Sequence, residues 1–259
     1  MKDFGKRTLS GIVGIILLII VVAKGGGYLS FAIYLLSIIG LREFYKAFEN
    51  INIIPVEIVG YIGCTGLYLN LLGFKFISMD FVLASIIVSL LILLITKKEV
   101  TIEGISVTVL SLIYIPFLFF HIVYLDKSKY IWLIFIIAFG TDTFAYLSGN
   151  LFGKRKLCPK LSPNKTIEGS LGGIIGSIIL TVLYSMYFGL EPIWKLIILS
   201  VVCSVIAQLG DLAASKIKRI SGIKDYGFIM PGHGGVLDRF DSILFTAPVV
   251  YYYVSCFLL

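Results

Sequence analysis

The chain has 259 residues, 58% of them hydrophobic and 14% charged, with a formal net charge of +7 and a mean hydropathy of +1.00. A soluble core of this size cannot absorb so much apolar surface, so the expected fold class is all-α, a polytopic membrane protein. The charge excess is modest and no basic residues interleave with aromatics in a soluble domain, which excludes nucleic acid as a partner and points to anionic membrane lipid.

Apolar runs of membrane-spanning length fall near residues 8–23, 28–47, 53–73, 80–96, 104–125, 130–150, 169–189, 192–213 and 241–259, predicting about nine transmembrane helices. Lys6 and Arg7 precede the first run as in a signal peptide, but no A-x-A-like site follows, so a retained helix is expected. With the N-terminus in the cytoplasm, 17 of the 22 basic residues fall in inside segments. The positive-inside rule therefore predicts a cytoplasmic N-terminus and a C-terminus outside. Cys64, Cys158, Cys203 and Cys256 are scattered without a C-x-x-C pair, and indicate neither a disulfide framework nor a zinc site.

Residues 1–125 are read as an N-terminal scaffold or dimerisation region, with Pro55 and Pro116 near helix ends or kinks. His121 is expected to be packed, and Glu43, Glu49 and Glu57 to be solvated or paired carboxylates near helix ends. Residues 126–259 differ in character, because polar residues and glycines enter the apolar segments. Asp142 stands toward the cytoplasmic half of the sixth run, with Tyr146 and Gly149 on its helical face. A carboxylate there costs about 2.5–3.5 kcal/mol on insertion scales and must face a cavity or a partner. Gly169, Gly172, Gly173 and Gly176 have the spacing of close helix packing.

In the next loop Ser162 is expected to cap a helix beginning at Pro163, which would set Lys165 at an anion-binding N-terminus. If the eighth run stays helical past its end, Asp211, Ser215 and Lys218 share one face. The segment 215–242 then gathers Lys216, Lys218, Arg219, Lys224 and Arg239 beside Asp225, Asp238 and Asp241, with His233 in a Pro-Gly-His-Gly-Gly turn. A solvated basic loop is one reading of this inventory; a site for a polyphosphate and a divalent metal is the other. Asp238, Asp241 and Ser242 form a polar face at the start of the ninth helix, and carboxylates on two facing helices can hold hard divalent cations.

These residues resemble a known family. The string S-x-I-K-R, four residues, K-D-x-G, then P-G-H-G-G-V-x-D-R-F-D at 215–241 is similar to the signature of phosphatidate cytidylyltransferases (CDP-diacylglycerol synthases). The T-D-T-x-A-Y segment at 141–146 and the L-S-P-N-K-T-x-E-G segment at 161–169 resemble the same family's upstream motifs. The resemblance spans roughly residues 139–245; the first five runs match only as generic apolar helices.

The resemblance implies a Mg2+-dependent nucleotidyltransferase that makes CDP-diacylglycerol and pyrophosphate from CTP and phosphatidic acid, with a second cation as a further candidate. It implies a homodimer in a bacterial cytoplasmic (inner) membrane, its active site facing the cytoplasm. On this reading Asp211, Asp238 and Asp241 ligate metal, and Ser215 contributes an oxygen. Lys165, Lys218, Arg219 and Lys224 contact phosphates, and His233 shapes the turn and hydrogen-bonds a phosphate. Asp142 is a cavity or metal residue; Asp225 and Arg239 are either site residues or a structural ion pair. An ion-coupled membrane transporter is the rival class, since intramembrane aspartates also mark ion pathways. A transporter calls for midplane acids and repeat symmetry, and neither is evident. A CDP-alcohol phosphotransferase would need a D-G and A-R pattern that is absent.

Overall fold

The structure, a computed structural model, describes residues 2–74, 76–227 and 234–258, with side chains from Gly11 onward. Each apolar run is helical: α1 (Lys2–Lys24), α2 (Gly26–Glu49), α3 (Glu57–Leu71), α4 (Met79–Thr96), α5 (Ile102–Leu112), α6 (Leu118–Tyr124), α7 (Ile131–Phe152), α8 (Ile167–Phe188), α9 (Ile193–Ile220) and α10 (Leu237–Phe257). A π-turn, Ile113–Phe117, joins α5 to α6 and contains Pro116. Proline has no N–H to give the helix ladder, and widening by one residue accommodates the lost bond. Among the described residues seven helical stretches, counting Ile102–Tyr124 as one, are long and apolar enough to cross a membrane. The protein is thus an all-α polytopic membrane protein. The row Leu83, Ile87, Leu91 and Ile95 along α4 lies exposed; such a face is stable in hydrocarbon, where only the backbone demands hydrogen bonds.

The chain forms two compact units, residues 1–123 with 220–239 and residues 124–219 with 240–259. In the first, Leu41, Phe44 and Tyr45 of α2 are fully buried. The Tyr45 hydroxyl accepts a 2.9 Å hydrogen bond from Ser111 of α5. It also packs on Gly60 of α3, where a Cβ would come within 1.8 Å of it. The Val56 N–H donates to Thr108 Oγ1 at 2.8 Å, fastening the start of α3 to α5. His121 is packed as expected, its ring nitrogen 2.8 Å from the Phe117 carbonyl.

In the second unit α7 and α8 meet along a seam of small residues. A Cβ on Gly172 would lie 2.1 Å from Ser148 Oγ, and one on Gly176 would lie 2.1 Å from the Phe144 ring. Backbones this close gain dispersion contacts that lipid cannot supply. Hydroxyls cross-link the same helices to α9, Thr141 donating to Ser204 at 2.8 Å and Ser200 to Ser177 at 3.1 Å.

The segment before α8 departs from the expected Ser162 cap and Pro163 start. Lys156–Cys158 (β1) and Ser162–Thr166 (β2) pair as a short antiparallel hairpin, with Pro163 on a strand that has no second neighbour, where a missing N–H is tolerated. Thr166 is the cap: its Oγ1 accepts the Gly169 N–H at 3.1 Å. Glu168 then folds back to accept the Lys154 N–H at 3.0 Å, tying hairpin to helix.

Gly176→Leu should force α7 and α8 apart and cost on the order of 2 kcal/mol or more. The check is the thermal unfolding midpoint in detergent, where Ser185→Ala, remote from the seam's tightest point, should shift it much less.

Candidate active site

Three helices of the second unit each bring one aspartate to the same place. Gly210 makes this possible: a Cβ there would lie 2.7 Å from the Asp241 carbonyl and 2.9 Å from the Phe245 ring, so only glycine lets α10 approach α9 beside Asp211. Asp241 is buried, and its carboxylate accepts the Ser242 N–H at 2.8 Å. Asp211 and Asp142 are its charged neighbours, with Lys218 the nearby cation. The Ser242 hydroxyl donates to Asp142 Oδ2 at 3.1 Å. On α9, Ser215 Oγ donates to Asp211 Oδ1 at 3.4 Å, so the expected face of Asp211, Ser215 and Lys218 forms on a helix that continues to Ile220. Lys165, presented by β2, forms an ion pair with Asp211 Oδ2.

Like charges gathered at a buried carboxylate are unstable without cations. Carboxylate and hydroxyl oxygens suit a hard divalent ion, so the donor chemistry of Asp142, Asp211, Asp241 and Ser215 fits the metal that the motif implies. Among the described residues no three His, Cys, Asp or Glu side chains form a ready-made cage, and Lys165 supplies positive charge at Asp211.

The first unit holds the remainder of the signature. Glu43 of α2, expected to be an ordinary carboxylate near a helix end, is instead buried at 4% exposure. Its two oxygens accept the N–H groups of Val236 and Leu237, both at 2.9 Å. Leu237 opens α10, so Glu43 satisfies two donors that a helix start leaves without intrahelical partners and sets negative charge at the positive end of the helix dipole. Asp238 works from the other side: its Oδ2 accepts the Tyr226 N–H at 2.8 Å and the Gly235 N–H at 3.0 Å. Gly235 and Gly227 both lie against Glu43, where a Cβ would meet Oε1 at 2.3 and 2.5 Å. Gly234 turns the chain with φ +87°, a conformation that favours glycine. Asn50 Nδ2 donates to the Ser221 carbonyl at 2.9 Å, and the Tyr226 ring stacks on Phe44 with centroids 6.4 Å apart.

Of the residues singled out in the sequence, Asp142, Lys165, Asp211, Ser215 and Asp241 thus cluster in one unit, with Lys218 alongside. Asp238 belongs to the other, organised around Glu43. Lys224 and Asp225 are exposed on its loop, and Arg219 is exposed at the last turn of α9. His233, with Pro231 and Gly232, lies outside the described residues. Glu43 was missed because it precedes its partners by 193 and 194 positions; its one sequence signal was a carboxylate one turn and more inside an apolar helix.

Residues 5–257 match the cytidylyltransferase family. Proteins named phosphatidate cytidylyltransferase from Staphylococcus epidermidis and Staphylococcus saprophyticus are 36% and 37% identical to the chain, covering 94% of it and 96% of each relative. One of that name from Staphylococcus aureus is 36% identical over the same shares.

Glu43→Ala should strand two buried N–H groups and cost about 3 kcal/mol, whereas Glu43→Gln, which keeps one acceptor oxygen, should cost roughly half that. Unfolding midpoints in detergent give the ranking, and faster proteolysis between residues 220 and 236 in the alanine variant locates the loss.

Proposed function

The chain belongs to the cytidylyltransferase family, and we propose that it transfers CMP from CTP to phosphatidic acid, yielding CDP-diacylglycerol and pyrophosphate for phospholipid synthesis. The observation that carries this reading is the meeting of Asp142, Asp211 and Asp241, all on apolar helices, with Lys165 of the polar strand β2. A soluble triphosphate and a membrane-bound phosphate must react at such a boundary.

In the reaction a phosphate oxygen of phosphatidic acid attacks the α-phosphorus of CTP. The bond from that phosphorus to the bridging oxygen of the β-phosphate breaks, and pyrophosphate leaves with the electron pair. The nucleophile is already an oxyanion, so no general base is needed, and the barrier is dominated by bringing two polyanions together. Lys165, Lys218, Arg219 and Lys224 lower it by pairing with phosphate oxygens, and His233 is a further hydrogen-bond donor to phosphate. Asp211 and Asp241 are the residues that would hold Mg2+, with Ser215 and Asp142 beside them and a second cation as a further candidate. When bound, Mg2+ screens the triphosphate and polarises the α-phosphorus. Asp211 holds Lys165 where an incoming phosphate can compete for the ammonium.

The protein is multi-pass, and its family and bacterial relatives support placement in the cytoplasmic membrane. The basic-residue distribution supports an N-terminus in the cytoplasm, a C-terminus outside and an active site open to the cytosol. A homodimer completes the proposal.

Purified protein in mixed micelles should release pyrophosphate when CTP, Mg2+ and phosphatidic acid are all present, and chelation with EDTA should abolish the release. Asp241→Asn and Asp211→Asn should each lower the rate at least about 100-fold, and Asp241→Asn, which relieves like-charge repulsion, should do so without lowering the unfolding midpoint. Folded wild-type protein that releases no pyrophosphate but carries ions across vesicles would return the transporter reading.

A further inference from the structure

Two cavities of the first unit share two lining residues of α2. The first is a groove of about 790 Å3 between α2 and α3, lined by Tyr34, Leu35, Ile38, Ile62 and Leu69, and it ends at Ile39 and Arg42. The second, about 540 Å3, begins at the same Ile39 and Arg42 and is lined further by Lys46, Asn50 and Lys224. From Leu35 to Lys46 this face of α2 runs about 16 Å at 1.5 Å per residue, apolar at one end and cationic at the other. The groove opens sideways, because Leu35 and Ile62 are exposed on its rim at 44% and 66%.

The charges define what the polar end would take. Arg42, Lys46 and Lys224 face two lining carboxylates, Glu43 and Asp225. Glu43 is already committed, both oxygens receiving backbone N–H groups. Arg42 and Lys46, at i and i+4, are exposed on the same helical face. A guanidinium that can grip two oxygens, with ammonium groups beside it, is the arrangement that recognises a phosphate group. A free phosphate would leave the adjoining apolar groove unexplained; a phosphate carrying acyl chains uses both cavities.

We propose that the α2–α3 groove binds phosphatidate, its acyl chain along Leu35, Ile38 and Ile62 and its phosphate at Arg42 and Lys46. The lipid enters sideways from the membrane and its head group meets Lys224, the basic residue between α9 and α10. The residues that recognise the lipid substrate thus lie on the helix that also carries Glu43. This assignment rests on the cytidylyltransferase reading for its substrate, but lipid binding can be tested without turnover.

The experiment compares wild type, Arg42→Gln and Ile62→Trp, all substitutions at exposed positions, in two measurements. In pyrophosphate release, Arg42→Gln should raise the dioleoyl phosphatidate concentration for half-maximal rate about tenfold or more, leaving that for CTP within twofold. Ile62→Trp, which fills the groove, should do the same for dioleoyl but much less for dihexanoyl phosphatidate. In native mass spectrometry, wild type should retain dioleoyl phosphatidate in preference to phosphatidylcholine, with millimolar inorganic phosphate failing to displace it, and both variants should lose that preference.

Wild-type activity with unchanged phosphatidate dependence and retention in both variants overturns the proposal. So does a parallel rise for CTP in Arg42→Gln, which would make the cationic end a nucleotide site, or displacement by inorganic phosphate alone. Loss of a dimer in Ile62→Trp with lipid retention intact would make the groove a contact between copies instead. If wild type retains phosphatidate through this groove yet never releases pyrophosphate, the catalytic reading fails and the binding site stands.

Discussion

A single buried carboxylate organises the first unit. Glu43 sits inside α2 among apolar neighbours, where an uncompensated charge would be prohibitive. Its compensation comes from the backbone: two N–H groups at the opening of α10 point at its oxygens. Each side solves the other's problem, since a helix start needs acceptors and a buried carboxylate needs donors. Asp238 repeats the device within the loop, one oxygen accepting from Tyr226 and Gly235. The two carboxylates, together with the buried Tyr226, Val236 and Leu237, fix the path of residues 224–227 and 234–238.

That constraint changes the meaning of the glycines. Gly234 and Gly235 end the Pro-Gly-His-Gly-Gly string that the sequence marks as a turn. Gly235 has a more definite reason: a Cβ would overlap the Glu43 carboxylate, and its N–H is spent on Asp238. Gly227 is required by the same contact. Small residues here serve close packing on a charge, just as Gly172 and Gly176 serve close packing of α7 on α8.

What could be read from the sequence followed from local rules. Apolar runs gave the helices because hydrocarbon forces backbone bonds to close within each segment. The face of Asp211, Ser215 and Lys218 followed from helical spacing alone, and it formed because α9 runs on to Ile220. The start of α8 was misplaced because Ser162-Pro163 and Thr166 both satisfy the local rules for a cap; cross-strand pairing of Lys156 with Thr166 decides between them. Glu43 was illegible for a different reason. It depends on contacts with residues 193 and 194 positions away, and a charge near the end of an apolar run looks the same whether it meets water or a helix start.

The two sets of carboxylates also differ in a way that bears on chemistry. Glu43 and the Oδ2 of Asp238 accept backbone N–H groups, donors that stay in place as long as the loop does. Asp142 and Asp211 take side-chain partners, the Ser242 and Ser215 hydroxyls and the Lys165 ammonium, while Asp241, their charged neighbour, accepts the Ser242 backbone N–H. A side-chain ammonium can be exchanged for a metal ion or drawn off by a phosphate, whereas an N–H of a helix start cannot. Exchangeable partners are what a site needs if charge is to arrive with substrate and depart with pyrophosphate. On that criterion Asp142 and Asp211 are suited to handling cations, and Glu43 to holding the loop that carries Lys224.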